Sequence, residues 1–204
     1  MQITGMLWGR KLLDLVEFPH SEVRGPELGV DDIKDMIKRH GQVFIKPLFK
    51  GGVGKKGKSG LLGRVDNITD ALSEKERLYF CEHVDGFSKV KSDGVTYEGA
   101  VPADYEVYFS ISESTEHRCP IMTVTHHGGV DIEELDEDKI KVVPFDALTG
   151  LKAFHVSNAL MELGAPPQVI SPLVQNLPKL WDLYNNYGML MLELNPIRMQ
   201  PGKG

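Results

Sequence analysis

Residues 42–65, QVFIKPLFKGGVGKKGKSGLLGRV, are the most informative part of the sequence for the fold. They open with a short run rich in Val, Phe and Ile, which predicts a buried strand that ends at Pro47. A glycine- and lysine-rich loop, residues 51–60, then leads into Leu61–Val65, which is typical of the returning strand of a hairpin. Such a loop suits an anion, because glycines let backbone N–H groups approach closely and lysines add positive charge. The segment predicts either a phosphate-binding hairpin or a solvated basic turn.

The loop also has to be compared with the Walker phosphate-binding motif. Residues 52–59, GVGKKGKS, follow the order G-x-x-x-x-G-K-[ST] if Gly57, Lys58 and Ser59 close it. A Walker loop must open a helix, whereas here Gly60 and an apolar pair typical of a strand follow. We therefore interpret it as a hairpin loop. Lys46, on the preceding strand, either reaches the phosphates of a nucleotide or extends to water.

The rest of the chain alternates predicted helices and strands. A polar stretch, residues 85–104, has no hydrophobic period and predicts a long surface loop or insertion. Ser171 and Pro172 suit the cap and first position of a late helix, in which Pro178 predicts a kink. The predicted helices are 30–41, 67–77, 151–164 and 171–188, and the further predicted strands are 78–84, 106–112, 119–127 and 189–197.

Two oxygen-bearing side chains interrupt the last predicted strand, which is apolar enough to be central in a sheet. Glu193 and Asn195 are separated by one residue, so both leave the same face. Burying them requires a partner, and a hard cation such as Mg²⁺, bound together with a nucleotide's phosphates, would serve. The alternative is a strand end at the solvent edge. His126 and His127 are adjacent, so a strand would send them to opposite faces and a shared ligand role is not expected.

Composition limits the class of protein. The 204 residues carry a net charge of -6, with 23 Lys and Arg against 29 Asp and Glu, which argues against a general nucleic-acid binder. Two cysteines are too few for a disulfide scaffold, so a reducing, cytoplasmic location is expected. No apolar run approaches the roughly 20 residues that span a bilayer, so no membrane partner is expected. The length suits one large domain or two small ones.

Several motifs occur in a characteristic order along the chain. They are FIKP (44–47), KGKSG (56–60), FCEHV (80–84), EVYFSI (106–111), HHGGVDIEE (126–134) and LELNP (192–196). Together they resemble the ATP-grasp part of the ADP-forming acyl-CoA synthetase superfamily, which includes ATP-citrate lyase, citryl-CoA synthetase and the succinyl-CoA synthetase beta subunit. The histidine pair before GGVD makes the resemblance strongest to the ATP-citrate lyase side.

The resemblance implies an α+β class and an ATP-grasp fold, with two α/β lobes and mainly antiparallel sheets. It predicts a first lobe at 1–84, with a nucleotide-covering loop at 51–60. The second lobe, 85–204, would carry the metal-binding strand 189–197 and be truncated at its C-terminus. In the family a further strand with a second metal carboxylate, and then a CoA-ligase-type domain, would follow Gly204. The resemblance thus predicts a piece of a larger protein.

The resemblance also implies a role for each matching residue. The nucleotide would be ATP with Mg²⁺, and Glu193 would be the catalytic acid near a partner's phosphohistidine. The glycine pair of GGVDIE would face the swinging histidine loop. The other matches are Lys46 with the ATP phosphates, Lys56 and Gly57 with the covering loop, Glu82 with the adenine on the strand linking the lobes, Glu106 with the ribose, and Asn195 with Mg²⁺.

The implied reaction uses MgATP to phosphorylate a histidine on a partner subunit or domain, and then forms an acyl phosphate and an acyl-CoA. Coenzyme A and the carboxylate would be bound mainly by missing or partner domains, and the full-length protein would be a hetero- or homo-oligomer. The fragment alone is not expected to complete a turnover. The preferred enzyme is ATP-citrate lyase or citryl-CoA synthetase, and the alternative is a succinyl- or malyl-CoA ligase beta subunit. A free-standing ligase joining a carboxylate to an amine, and a non-catalytic nucleotide-binding regulatory module, are the rival classes.

Overall fold

The computed structural model describes residues 6–49, 60–85, 88–128 and 135–200. The chain divides into two compact units. The first unit comprises residues 1–14 and 20–101, and the second unit comprises residues 15–19 and 102–204. Across the described segments, none of the helices combines the length and apolar character needed to cross a bilayer.

Both units contain helices and strands. The helices are Met6–Asp14 (α1), Val30–His40 (α2), Ile68–Tyr79 (α3), Ala153–Glu162 (α4), Pro167–Asn176 (α5) and Lys179–Asn186 (α6). The strands are Val23–Arg24 (β1), Val43–Phe49 (β2), Gly63–Val65 (β3), Glu82–Asp85 (β4), Ser88–Gly99 (β5), Tyr105–Ser114 (β6), Cys119–Thr125 (β7), Lys141–Pro144 (β8) and Met191–Met199 (β9).

The first unit is an antiparallel sheet with strand order β1-β5-β2-β3, and β4 also pairs with β5. The predicted hairpin is confirmed, since Val43 lies opposite Val65 and Ile45 opposite Gly63. The predicted helix at 30–41 is confirmed as α2, which ends at Gly41 with a φ of 71°. Helices α2 and α3 contribute to the core of this unit, which contains Ile33, Met36, Val43, Ile45, Ala71, Leu78, Val95 and Tyr97.

Two element boundaries in the first unit differ from those predicted. Strand β2 continues through Pro47 to Phe49, and the register with β5 shifts between these two residues. Helix α3, capped by the Asn67 side chain, runs on through Leu78 to Tyr79, which the sequence assigned to a strand. Leu78 is buried in the core from the helix. Tertiary packing therefore fixes these boundaries, and local propensity does not.

The prediction of a surface loop at 85–104 is wrong, because most of it is the twelve-residue strand β5. This strand pairs with β1, β2 and β4. Its buried residues include polar ones, Ser92, Thr96 and Glu98, which hide the apolar alternation. Because β5 belongs to the first sheet, the division between the units falls after Val101 and not after residue 84. The assignment of these units to the two ATP-grasp lobes stays a prediction.

The second unit contains an antiparallel sheet with strand order β8-β7-β6-β9. Val107, Phe109 and Ile111 alternate along β6 and are fully buried. Helix α4 packs against α5 and contacts β7 and β8. Within the described residues β9 pairs with β6 alone, so it is a terminal strand of this sheet and not the central strand that its apolar sequence predicted.

The late helical segment is two helices. Helix α5 begins at Pro167 and contains Pro172, so the predicted cap at Ser171 and first position at Pro172 are wrong. The earlier proline supplies the first position, where the missing N–H costs nothing. Pro178 does break the helix, since α5 ends at Asn176 and α6 starts at Lys179.

An aromatic cluster holds α6 against the turn before α4. Trp181 lies edge-on to Phe145, with ring centroids 5.1 Å apart, and stacks on Tyr184 at 5.6 Å. Gly150 sits under the indole with a φ of +74°, and a Cβ built there would lie 2.5 Å from Trp181 Nε1. The left-handed backbone and the close approach both require glycine at this position.

Three basic side chains surround Glu22 in the first unit. Its carboxylate accepts hydrogen bonds from Arg24 Nε at 3.0 Å, Arg39 Nη2 at 2.9 Å and His40 Nε2 at 2.9 Å. Partial burial alone would raise the pKa of Glu22, but the bonds from His40, Arg39 and Arg24 outweigh it and lower the pKa from 4.5 to about 2. The cluster therefore ties the segment before β1 to the end of α2 through an ionised carboxylate.

The depressed pKa predicts a pH-dependent stability. Since the folded carboxylate has the lower pKa, its contribution is complete above about pH 4.5 and is lost as the pH falls towards about 2. We expect Glu22→Gln to cost about 2 kcal/mol at pH 7, with the difference from wild type shrinking below pH 4.5. Urea unfolding from pH 7 to 2.5 measures this. A difference that stays constant with pH would contradict the assignment.

Candidate functional site

The first unit brings Lys46 against a glutamate that the sequence interpretation missed. In the β2–β5 register Lys46 lies opposite Thr96 and Phe44 opposite Glu98, so the four side chains share one face. Lys46 Nζ forms an ion pair with Glu98 Oε2. The Glu98 side chain is only 11% exposed, whereas that of Lys46 is 30% exposed. The lysine is thus anchored on a buried carboxylate and still reaches solvent.

Lys46 leaves the sheet on the side away from the helical core. Val43 and Ile45 belong to that core, and strand alternation sends Phe44 and Lys46 to the other face. Thr96 Oγ1 donates to the Lys46 carbonyl at 3.4 Å. The backbone and the ammonium of Lys46 are therefore both held by β5. Lys56 and Gly57, predicted for the covering loop, lie outside the described residues.

Glu82 has a partner within the first unit, and its predicted role beside the adenine stays a prediction. It starts β4, pairs in register with Lys91, and its Oε1 lies 3.4 Å from Lys91 Nζ. The strand that leads into the second unit is β5, and its last acid is Glu98. Glu98 is therefore the acid nearest the end of β5, the strand that precedes the second unit in the chain. In the sequence, Val95 and Tyr97 alternate with Thr96 and Glu98, and this alternation could have indicated a strand here.

Three predicted residues of the second unit lie on β6 and β9. In the β6–β9 register Glu106 lies opposite Arg198, and Ser110 lies opposite Glu193. Glu106 and Glu193 therefore share one face of the sheet, and the buried Phe109 lies on the other face. The register shifts between Val107 and Phe109, and the Asn195–Pro196 peptide bond is cis. Glu193 and Asn195 are both exposed, as expected for one strand face at the solvent.

Glu106 has a partner that the sequence did not suggest. Arg198 Nε donates to Glu106 Oε1 at 2.9 Å, and Arg198 Nη2 lies 2.9 Å from the same oxygen. Both side chains are about one third exposed, so water screens much of their attraction. A sugar hydroxyl could still bond to Glu106, because a carboxylate accepts several hydrogen bonds.

The motif around the histidine pair is fixed against β6. Thr125 Oγ1 accepts from His127 N at 3.1 Å, and Gly128 N donates to Glu106 O at 2.6 Å. The histidine rings lie 4.2 Å apart, so the prediction of opposite faces is wrong. The strand has already ended at Thr125, which frees the pair from alternation. The pKa of His126 is lowered, mainly by burial and to a lesser extent by the neighbouring His127.

Gly128 is the residue of this motif that the structure explains most directly. A Cβ there would lie 2.7 Å from backbone atoms of Glu106 and Val107, which a side-chain rotation cannot relieve. We expect Gly128→Ala to cost about 2 kcal/mol of unfolding free energy, because either β6 or the backbone at residue 128 must shift to make room for the methyl group. Thermal unfolding of the variant measures this cost. A melting temperature equal to that of wild type would show that the close approach is not required.

Metal binding has a limited set of candidate ligands. The described residues contain no group of three or more His, Cys, Asp or Glu side chains arranged to hold an ion. Glu193 and Asn195 provide exposed carboxylate and amide oxygens. This donor set suits Mg²⁺, which takes one or two protein oxygens together with water and substrate phosphates.

Comparison with known proteins identifies the family. A family model for the ATP-grasp domain matches residues 21–199, which include most of both units. The chain therefore belongs to the ATP-grasp family. Its α+β class with two antiparallel sheets agrees with that fold, as the motifs predicted.

The resemblance to the ADP-forming acyl-CoA synthetase superfamily is also confirmed. The beta subunit of succinate–CoA ligase [ADP-forming] from Desulfatibacillum aliphaticivorans is 28% identical over 178 residues, covering 84% of this chain and 46% of the relative. The chain thus spans about half the length of this relative.

Two solved structures show the same fold. ATP citrate lyase from Methanothrix soehngenii, in complex with citrate and coenzyme A, has a TM-score of 0.65 at 20% identity, covering 93% of this chain and 43% of that chain. PH1788 from Pyrococcus horikoshii OT3 has a TM-score of 0.73 at 16% identity, covering 97% of this chain and 85% of that chain.

Proposed function

We propose that the chain is the ATP-binding part of an ATP-dependent enzyme that forms acyl-CoA. The observation that carries the proposal is the position of Lys46, a partly exposed ammonium on the sheet face away from the core. It lies five residues before the start of the loop rich in glycine and lysine, residues 51–60, in a chain of the ATP-grasp family. A fixed cation followed by backbone donors suits a polyphosphate.

In the proposed reaction this chain positions the nucleotide. Lys46 would neutralise charge on the phosphate oxygens, Lys56 and Gly57 would cover them, and Glu106 would bond to the ribose. Catalysis of phosphoryl transfer depends mostly on such positioning and charge neutralisation. Glu193 and Asn195 offer oxygen ligands on one strand face, which supports Asn195 as the ligand for Mg²⁺. When bound, that ion supplies charge neutralisation for the phosphates.

The transfer itself would take place on a partner. The bond between the γ-phosphorus and the bridging oxygen of ATP breaks, ADP leaves, and a bond forms from phosphorus to a histidine nitrogen of a partner subunit or domain. Glu193 would stand near that phosphohistidine. The phosphorus–nitrogen bond of the phosphohistidine then breaks as a carboxylate oxygen of the substrate takes the phosphoryl group, which frees the histidine and gives an acyl phosphate. The thiolate of coenzyme A attacks the acyl carbon and displaces phosphate to give the thioester. Both later substrates would be held mainly outside this chain.

Two acids are candidates for the substrate. The HHGGVD segment favours ATP-citrate lyase or citryl-CoA synthetase and hence citrate, whereas the relative from Desulfatibacillum aliphaticivorans is a succinate–CoA ligase subunit. Hydroxylamine trapping of the acyl phosphate distinguishes them, with MgATP, coenzyme A and the partner present. Trapping with citrate alone supports the first reading, and trapping with succinate alone supports the second.

Nucleotide binding is the direct test of the proposal. We expect MgATP and MgADP at 100 times their dissociation constants to stabilise the chain by about 2.7 kcal/mol, with a matching rise in melting temperature. Adenosine, which lacks the phosphates, should stabilise it much less. No rise with any nucleotide would exclude the proposal. Nucleotide binding without histidine phosphorylation in the complete assembly would instead favour a regulatory module.

A further inference from the structure

We infer that Glu98 is a positioning residue that holds the Lys46 ammonium where it meets the nucleotide phosphates. The inference rests on the proposed function and deepens it, because it names how the phosphate-binding cation is oriented. Its basis is the ion pair of Glu98 Oε2 with Lys46 Nζ across two neighbouring strands.

Burial makes this pair difficult to open. The Glu98 side chain is 11% exposed, and a carboxylate at such a position needs its counterion to offset the lost hydration. Lys46 is the cation that the structure places on it. The ammonium is therefore expected to remain on Glu98 when a nucleotide arrives.

The geometry leaves Lys46 able to serve two partners. An ammonium has three N–H donors, and the Lys46 side chain is 30% exposed, so donors remain for an incoming phosphate oxygen. Thr96 holds the Lys46 backbone to the same strand that carries Glu98. A free lysine side chain samples many rotamers, and fixing it in advance removes that entropy from the cost of binding.

Two substitutions separate contact from charge. Glu98→Asp keeps the negative charge but shortens the side chain by one methylene, so it loses its contact with Lys46. Glu98→Gln keeps the length and an oxygen acceptor but loses the charge. If Glu98 works mainly through its contact, the aspartate variant should bind MgADP about tenfold more weakly, as expected when a lysine loses its restraint. The glutamine variant, which keeps the contact but loses the charge of the ion pair, should lie between the aspartate variant and wild type.

The inference is tested by titrating the wild-type chain and both variants with MgADP and with adenosine. Adenosine lacks the phosphates, so its affinity should not change in either variant. In the Lys46→Met background Glu98→Asp should have no further effect on MgADP. Glu74→Gln is the matched control, since it removes an ion pair of the same unit, with Arg77, and should leave both affinities unchanged.

The outcomes that overturn the inference are distinct from failure of the proposed function. Binding of MgADP that is unchanged in the aspartate variant but lost in the glutamine variant would show that charge, not contact, matters. A parallel loss of adenosine binding would show that Glu98 contacts the nucleoside or supports the fold. If the wild-type chain binds neither MgADP nor MgATP, the proposed function fails, and the inference fails with it.

Discussion

Lys46→Met should weaken MgADP and MgATP binding about a hundredfold, the largest functional effect that we expect from one substitution. The ammonium lies on a sheet face away from the core, so the substitution removes a charged donor and leaves the packing of Val43 and Ile45 intact. Charge-assisted hydrogen bonds to phosphate contribute about 1.5–3 kcal/mol each, which corresponds to roughly ten- to hundredfold in affinity. Isothermal titration with each nucleotide measures the loss.

Lys91→Met is the matched control for this result. Lys91 lies in the same unit, is 73% exposed and pairs with Glu82, so the substitution removes an identical charge from the surface. Its affinity for MgADP should remain within about twofold of wild type, because exposed charges are well screened. Equal losses in the two variants would mean that net charge drives binding and that Lys46 has no special place.

Gly150→Ala should lower the free energy of unfolding by about 3 kcal/mol, the largest effect on stability that we expect. The substitution forces an L-residue into a left-handed conformation and drives a methyl group against Trp181. The indole is 9% exposed and packed on Phe145 and Tyr184, so it has little room to move. Urea unfolding monitored by tryptophan fluorescence measures the effect.

Gly164→Ala separates the two causes. Gly164 has a φ of +70°, close to that of Gly150, but a Cβ there would meet no atom within 4 Å. The backbone conformation alone should therefore cost about 1 kcal/mol. If both alanine variants lost the same stability, the contact with Trp181 would contribute nothing.

The parts of the fold that follow local rules could be predicted from the sequence. Helix α2 is one, because its apolar spacing and the terminal Gly41 are local signals. The hairpin of β2 and β3 is another, since β-branched and aromatic residues flank a glycine-rich loop. The motif order also predicted the ATP-grasp family, which the family match over residues 21–199 confirms.

Strand β5 was missed, because its polar residues obscure a short apolar alternation and acquire partners only in the folded chain. The Ser92 hydroxyl, with one proton to donate, lies within hydrogen-bond distance of the carbonyls of Leu78 and Tyr79 at the end of α3, and Glu98 pairs with Lys46. In the sequence these residues are typical of a loop, and only long-range contacts make them compatible with burial. The start of α5 was missed for a related reason, since Pro167 and Pro172 carry the same local signal.

The candidate site was predicted in its residue types more than in its contacts. Lys46, Glu193 and Asn195 were found because a polar residue within an apolar strand is conspicuous. Glu98 was missed along with its strand, and Arg198 was missed because nothing in the sequence connects it with Glu106, 92 positions away. The roles of all the predicted site residues towards a nucleotide, a metal ion or a phosphohistidine stay predictions; these residues are Lys46, Lys56, Gly57, Glu82, Glu106, Glu193 and Asn195.

The pairing of β5 has a consequence for the order in which the chain folds during synthesis. This strand lies between β1 and β2 and also pairs with β4, all of which precede it in the chain. The first sheet therefore cannot be completed on the ribosome until Gly99 has left the exit tunnel. A nascent chain arrested with only residues 1–84 outside would expose the open edge of β2 and invite aggregation, whereas one arrested past residue 101 could already fold its first unit.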